Sequence, residues 1–204
     1  MDYRVILINQ LKLLPYFSKK DILALSRQFG IKAETVATYV SRSLARKDII
    51  SLRNGMYVTT DFYNRHAGDI SYTFYLANVL RSPSYVSSWS ALQYYNLATE
   101  AIGTVTSVTT KHTSAHNNKA GSFAYQSIKK DLFSSFTAVN GKFNFFIASP
   151  AKALFDLVYL KTNHFRWINF KTVVGLVEDL RVDIDEMEIK ERDSFYALVK
   201  KYLK

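Results

Sequence analysis

Thr35, Thr38, Arg42 and Arg46 are the residues whose types and spacing point most directly at a ligand. Steps of three and four residues gather two hydroxyls and two guanidiniums on one side of a helix. Hydroxyls reach phosphate oxygens, and a guanidinium can donate twice to the exposed edge of guanine. A good bidentate pair of that kind discriminates between bases by about 1–3 kcal/mol. The plain alternative is a solvated helix face. Val36, Val40 and Leu44 recur every fourth residue, with Ala33 and Ala37 beside them, and form an apolar stripe opposite the polar one.

A helix of that kind needs elements to hold it. Upstream, Ser18 is a candidate N-cap, and Asp21 three residues on suits the first turn. Ile22, Leu23, Leu25 and Phe29 give this second helix an apolar surface, and Gly30 ends it as a left-handed residue. A first helix is expected over residues 2–14, with Val5, Ile6, Ile8, Leu11 and Leu14 largely apolar and Pro15 as its stop. Downstream, the runs 49–52 and 56–59 flank Arg53-Asn54-Gly55, and Asn-Gly permits the dihedrals of a tight hairpin. Three helices followed by a basic hairpin predict a winged helix-turn-helix over residues 1–66, with Arg53 at the tip of the wing.

Charge follows the same division. Residues 1–66 hold eleven Lys/Arg against five Asp/Glu, so this third carries +6 of the chain's formal +10. A basic module binds phosphate backbones by releasing counterions. An acidic membrane surface would need a long basic amphipathic helix or a lipidation signal, and neither is evident. The chain has 204 residues, 48% of them hydrophobic, with 28 Phe and Tyr and no Cys. Disulfides and thiolate metal sites are excluded, in keeping with a reducing compartment. With no secretory signal and no apolar run long enough to span a bilayer, the expected location is cytoplasmic.

The segment 61–68 reads as a short, semi-rigid connection, and the pattern then changes. Helices are expected over 70–80, 89–97, 171–180 and 184–203, and another begins at Ser149-Pro150. β-branched and aromatic runs over 103–110, 123–128, 133–139 and 142–147 read as strands, the last two joined at Asn140-Gly141. The second domain, 67–204, is therefore expected to be α+β, a mostly antiparallel sheet flanked by helices.

The chain resembles a known family along almost its whole length. The residues that carry the resemblance begin with Tyr85-Val86-Ser87-Ser88-Trp89-Ser90-Ala91-Leu92-Gln93-Tyr94-Tyr95-Asn96-Leu97 and Ser107-Val108-Thr109-Thr110-Lys111. They continue in Gly121-Ser122-Phe123-Ala124-Tyr125 and Ser149-Pro150-Ala151-Lys152-Ala153-Leu154-Phe155-Asp156, with Leu52-Arg53-Asn54-Gly55-Met56-Tyr57 as a wing pattern. These are similar to the AbiEi antitoxins of bacterial type IV toxin–antitoxin, or abortive infection, systems. Ala151 departs from the pattern, since many relatives carry an acid before the Lys.

The resemblance implies a repressor that binds inverted repeats of double-stranded operator DNA near its own promoter. It also implies a second domain that opposes a nucleotidyltransferase-like toxin, AbiEii, without a stable complex. Carried onto this chain, Thr35, Thr38, Arg42, Arg46 and Arg53 become DNA-reading positions, Lys19, Lys20, Lys32 and Lys47 phosphate contacts, and Asn54 a further DNA-binding residue. The alternative is a stand-alone winged-helix regulator whose second domain senses a ligand or mediates dimerisation.

In residues 67–150, Arg81, Lys111, His112, Lys119, Lys129 and Lys130 outnumber Asp69, Glu100 and Asp131, and make a candidate antitoxin surface or RNA contact. Tyr85, Tyr94 and Tyr125 are candidate stacking platforms there, against the plainer reading of core aromatics. Residues 178–193 hold eight acids among three bases and read as a solvated helix face. No catalytic role, metal site or cofactor is expected. The four His lack metal-ligand spacing, and no phosphate-binding Gly loop or serine elbow occurs. Glu188-Ile189-Lys190 has the local spacing of a metal-dependent nuclease but falls in an expected helix, without a carboxylate partner on a strand.

Overall fold

The computed structural model describes residues 3–99 and 103–203, with side chains from Val5 onward. Asp2, the expected first residue of the opening helix, and Glu100 lie outside them. The fold is α+β. The chain divides into two compact units, Met1–Asp69 with Asn117–Gly121, and Ile70–His116 with Ser122–Lys204.

The first unit runs α1 (Tyr3–Leu11), β1 (Phe17–Ser18), α2 (Lys19–Gln28), α3 (Ala33–Ala45), β2 (Ile49–Arg53), β3 (Met56–Thr59) and α4 (Thr60–His66). α1 stops at Leu11, earlier than expected, and the Leu14 amide closes a turn onto the Leu11 carbonyl at 3.0 Å. The residue before Pro15 is steered away from helical backbone, which favours the early stop. Leu7 and Leu11 are buried, whereas Val5 and Leu14, counted with the apolar face from sequence, are exposed.

α2 opens with a capping box. Ser18 Oγ accepts from the Asp21 amide at 3.2 Å, and the Asp21 carboxylate accepts from the Ser18 amide at 2.7 Å. Gly30, at φ +66°, closes α2, with the Ile31 amide donating to the Ser26 carbonyl at 3.0 Å. α3 ends in the same motif with Lys47, at φ +62°, in the glycine position. There Asp48 N donates to the Ser43 carbonyl at 2.9 Å and Lys47 N to Leu44 at 3.1 Å.

Leu11, Phe17, Ile22, Val36 and Ile49 make a core cluster, with Val40, Leu44 and Tyr57 packed on it. Ala33 and Ala37, assigned to the apolar stripe from sequence, are exposed, and Ser43 is buried. At 3.6 residues per turn Ser43 lies only about 20° around the helix from Val36, and Ala37 about 100°.

The three-stranded sheet has the order β1-β3-β2, antiparallel throughout, with Ser18 opposite Met56 and Ile50 opposite Val58. The register shifts between Ser51 and Arg53. Gly55, at φ +75°, supplies the left-handed residue of the hairpin turn. The segment read as a connection is the helix α4. Thr59 caps it, Phe62 is buried, and the Thr60 hydroxyl donates to the Lys47 carbonyl.

The second unit contains α5 (Ile70–Leu80), β4 (Ser84–Val86), α6 (Ser88–Tyr94), β5 (Thr104–Thr109), β6 (Ser114–Asn118), β7 (Gly121–Ser127), a 3-10 turn (Lys130–Leu132), β8 (Phe136–Val139) and β9 (Phe145–Ala148). It closes with α7 (Pro150–Lys161), α8 (Phe170–Asp179) and α9 (Ile189–Tyr202). The last residues of β6 and the turn after it fall in the first unit by contact.

The six strands are ordered β6-β7-β5-β4-β9-β8. β4–β5 and β8–β9 are antiparallel, but β4–β9 and β5–β7 are parallel. The sheet is mixed, which corrects the mostly antiparallel expectation. Parallel neighbours need long crossovers, so they leave no turn motif in the sequence. β4 escaped notice because it is three residues long and buried throughout, without alternation. β6 occupies a stretch expected to be loop, and α9 begins at Ile189 rather than 184.

α7 is buried over nine consecutive residues, 151–159, as it packs on α6, α8, α9 and β9. A helix covered on every side loses the amphipathic pattern.

Candidate nucleic-acid interface

On α3, Thr35, Thr38, Arg42 and Arg46 fall within an arc of about 80° turned away from Val36. Thr38, Arg42 and Arg46 are exposed and Thr35 is half-buried. Thr38 Oγ1 donates to the Glu34 carbonyl at 3.4 Å, a weak bond that leaves the oxygen able to accept. Lys32 stands exposed at the N-cap of α3 in extended backbone, and Lys47 exposed just past its end. Arg42, Arg46 and Lys47 also complement the negative end of the helix dipole, which favours cations there without any ligand.

A second group forms where α2 begins. The Lys19 amide donates to the Gly55 carbonyl at 2.8 Å, so the hairpin turn is tied to the first residue of α2. This brings Lys19 and Lys20 beside Arg53 and Asn54, all four exposed. Arg53 Nε donates to the Met56 sulfur at 2.7 Å, laying the guanidinium along β3. Among the described residues, no ion pair or hydrogen bond engages the side chains of Lys19, Lys20, Lys32, Arg42, Arg46 or Lys47. Six solvated cations on one small unit can exchange counterions for phosphates without first breaking a protein contact.

Of the residues expected to share a face in the second domain, Arg81, Lys111, His112, Lys129 and Lys130 stand at one end of the sheet, where Thr109 pairs with Ser127 and the Ile128 amide donates to the Thr109 carbonyl at 2.9 Å, and Lys119 does not join them. Arg81 Nη2 donates to the His112 carbonyl at 2.7 Å, which joins those two residues. Lys111 is exposed two residues past the end of β5, and Lys129 and Lys130 are exposed just past the neighbouring end of β7. Lys119 belongs by contact to the first unit. The supposed loop between Lys111 and Lys119 contains the strand β6, and that strand separates them.

The tyrosines resolve by burial. Tyr85 and Tyr125 are wholly buried, and Tyr125 donates to the Ala77 carbonyl at 2.7 Å, so neither can stack a base. Tyr94 is half-buried among Phe74, Phe145 and Tyr95. The acidic stretch is no helix face. It spans the end of α8, an irregular segment and the start of α9, with Asp185 pairing to Arg192 at 3.2 Å. Glu188 occupies the N-cap position of α9.

A buried ionic cluster was missed as a unit. Lys152 and Asp156 are 1% and 0% exposed and pair one turn apart on α7. The Asp156 carboxylate also accepts from Tyr85 Oη at 3.0 Å and Ser87 Oγ at 2.7 Å. Burial pushes the Asp156 carboxyl up from its ordinary value and the Lys152 ammonium down, each opposed by the partner's charge. Burial, then Asp156, raises the Tyr85 phenol. The cluster is enclosed, and its hydrogen bonds tie α7 to β4. The available signal was a Lys and an Asp four apart in an otherwise apolar helix.

Two consequences follow for neighbouring caps. The Ser87 hydroxyl, turned to Asp156, does not cap α6, and Thr106 Oγ1 accepts from the Ser90 amide at 3.0 Å instead. At the start of α7, Glu191 from α9 supplies a carboxylate to the Ala151 amide at 2.8 Å. That carboxylate serves the positive end of α7.

No protein-family model matches the chain, and no curated protein does. Among the described residues no helix is long and apolar enough to cross a membrane.

Proposed function

We propose that the chain is an AbiEi-like antitoxin. In this reading its first unit works as a winged helix-turn-helix repressor of its own operon, and its second unit opposes a nucleotidyltransferase-like toxin in the cytoplasm without binding it stably. One observation carries the DNA half. α3 turns Val36, Val40 and Leu44 to the core while Thr35, Thr38, Arg42 and Arg46 face outward, and the basic hairpin turn is bonded to the start of α2. A helix presented in this way enters a major groove, with Arg42 and Arg46 reading base edges, Arg53 reaching the duplex from the wing beside Asn54, and the Lys side chains gripping the backbone. The antitoxin half rests on the order of the sequence motifs, two of which meet in the cluster of Tyr85, Ser87, Lys152 and Asp156.

The test is a gel-shift series on the promoter fragment of the chain's own operon over a range of salt. Arg42→Ala is expected to cost about 1–3 kcal/mol on the operator and relax its sequence preference. Lys20→Ala is expected to weaken all duplexes alike and flatten the salt slope by about one. Wild-type behaviour of both variants would reject this reading face. For the antitoxin half, full-length Arg42→Ala/Arg46→Ala is expected to lose repression yet still relieve toxicity when co-expressed with the toxin from the neighbouring gene. The second reading, a regulator whose other unit senses a ligand, is favoured by a cavity of about 540 Å³ in the second unit. It predicts no toxin to relieve.

A further inference from the structure

Residues 163–167 follow α7 in an unusual backbone. Asn163, His164, Phe165 and Trp167 have φ of +47°, +69°, +61° and +61°. Each such L residue is disfavoured by about 1–2 kcal/mol, and backbone strain of this kind collects at ligand clamps. The segment is nonetheless firmly seated. The His164 amide donates to the Tyr159 carbonyl at 2.7 Å, and the Phe165 amide to Thr162 Oγ1 at 3.2 Å. The Phe165 ring meets Phe155 edge-on at 5.6 Å and Tyr159 at 5.4 Å. This anchoring leaves Trp167 100% exposed, a large apolar ring held in water with nothing packed on it.

Trp167 lines the cavity of about 540 Å³, together with Lys129, Asp131, Tyr159, Arg166 and Lys201. The volume falls in the range of small-ligand sites. Three cations face one carboxylate, so the cavity favours an anion. Tyr202 forms part of the wall, with the Lys201 ammonium 5.3 Å over its ring. Burial and the neighbouring Tyr202 raise the Tyr159 phenol, which therefore keeps its proton as a donor. A flat, solvent-facing ring beside exposed cations fits a ligand that is both aromatic and anionic. A lone carboxylate among them can accept from an exocyclic amine.

We propose that this cavity binds one nucleotide unit, the base stacked on Trp167 and the phosphate held by Lys129, Arg166 and Lys201. The unit is either free or part of a single strand, and the site does not depend on the DNA-binding reading of α3.

The experiment uses the full chain carrying Trp89→Phe, so that Trp167 is its one indole. Fluorescence is titrated with AMP, GMP, CMP, UMP, inorganic phosphate and a twelve-nucleotide single-stranded RNA at fixed ionic strength. Quenching by nucleotides or RNA, and not by phosphate, is expected. Quenching by mononucleotides that then displace the RNA identifies a pocket for a free nucleotide or strand end; quenching by RNA alone identifies a strand site. By anisotropy with labelled RNA, Trp167→Ala in the native background is expected to weaken binding roughly 5- to 150-fold, from the usual strength of one base stack, and Trp167→Phe to restore most of it. Arg166→Ala and Lys201→Ala should each flatten the salt slope by about 0.7. Duplex binding in the gel shift should not change with Trp167→Ala, and RNA binding should survive Arg42→Ala. The proposal is overturned by absence of quenching, by equal quenching with phosphate, by wild-type RNA affinity in Trp167→Ala, or by loss of RNA binding in Arg42→Ala.

Discussion

Lys47 is both a proposed phosphate contact and a side chain in a glycine's backbone conformation, so Lys47→Gly should move stability and DNA affinity in opposite directions. The residue sits at φ +62° in the turn that closes α3. Its carbonyl accepts from Thr60, and its amide donates to Leu44 at 3.1 Å; both are backbone groups that glycine retains. Relief of left-handed strain is worth about 1–2 kcal/mol. Glycine's greater freedom in the unfolded chain takes back about 0.5–1 kcal/mol. A net gain of up to about 1.5 kcal/mol is expected, whereas Lys47→Ala keeps Cβ and gains nothing. Both variants lose one cation, which should flatten the salt slope by about 0.9 and narrow the affinity change between 50 and 200 mM salt by roughly threefold. Trp89 and Trp167 both lie in the second unit, so their fluorescence reports on the wrong region. Hydrogen exchange at the last amides of α3 and at Asp48 is the suitable stability assay, paired with gel shifts across salt. A Gly variant exchanging as fast as the Ala variant would refute the strain argument. An unchanged salt slope in both would remove Lys47 from the interface.

In the buried cluster, Lys152→Met and Asp156→Asn are each expected to cost about 3–5 kcal/mol by leaving a charge unpaired. The double variant should recover much of the loss, because Asn can still accept from Tyr85 and Ser87; a urea-denaturation cycle showing additive losses would contradict the pairing. Ser18→Ala should remove the capping box and cost about 1 kcal/mol, read as faster hydrogen exchange at the start of α2. Tyr95 donates to the Ala148 carbonyl at 3.1 Å, and burial first, then Tyr94 and Glu191, push its phenol up to about 12. A folded pKa above the unfolded one means a contribution fully present below pH of about 10 and lost as pH rises toward about 12. Tyr95→Phe should flatten the stability profile over that window, and an unchanged profile would assign the loss to other groups.

Local signals with a local physical cause were legible in the sequence. Ser18 with Asp21, Gly30, Gly55 and Ser149-Pro150 each act on backbone within four residues of themselves, and each stands where its type predicts. The α+β class was legible for the same reason, since periodicity is a property of neighbours in the chain. The parallel pairings of β4 with β9 and β5 with β7 were not, because they join segments far apart in sequence. Exposure was decided by the tertiary fold too: a tyrosine at position 85 or 125 reads as stacking platform or core until a sheet closes over it. The sequence determined which residues carry charge and where helices start. Only the fold decided that Lys152 and Asp156 would be enclosed while Trp167 stayed in water, because burial depends on what packs from elsewhere in the chain.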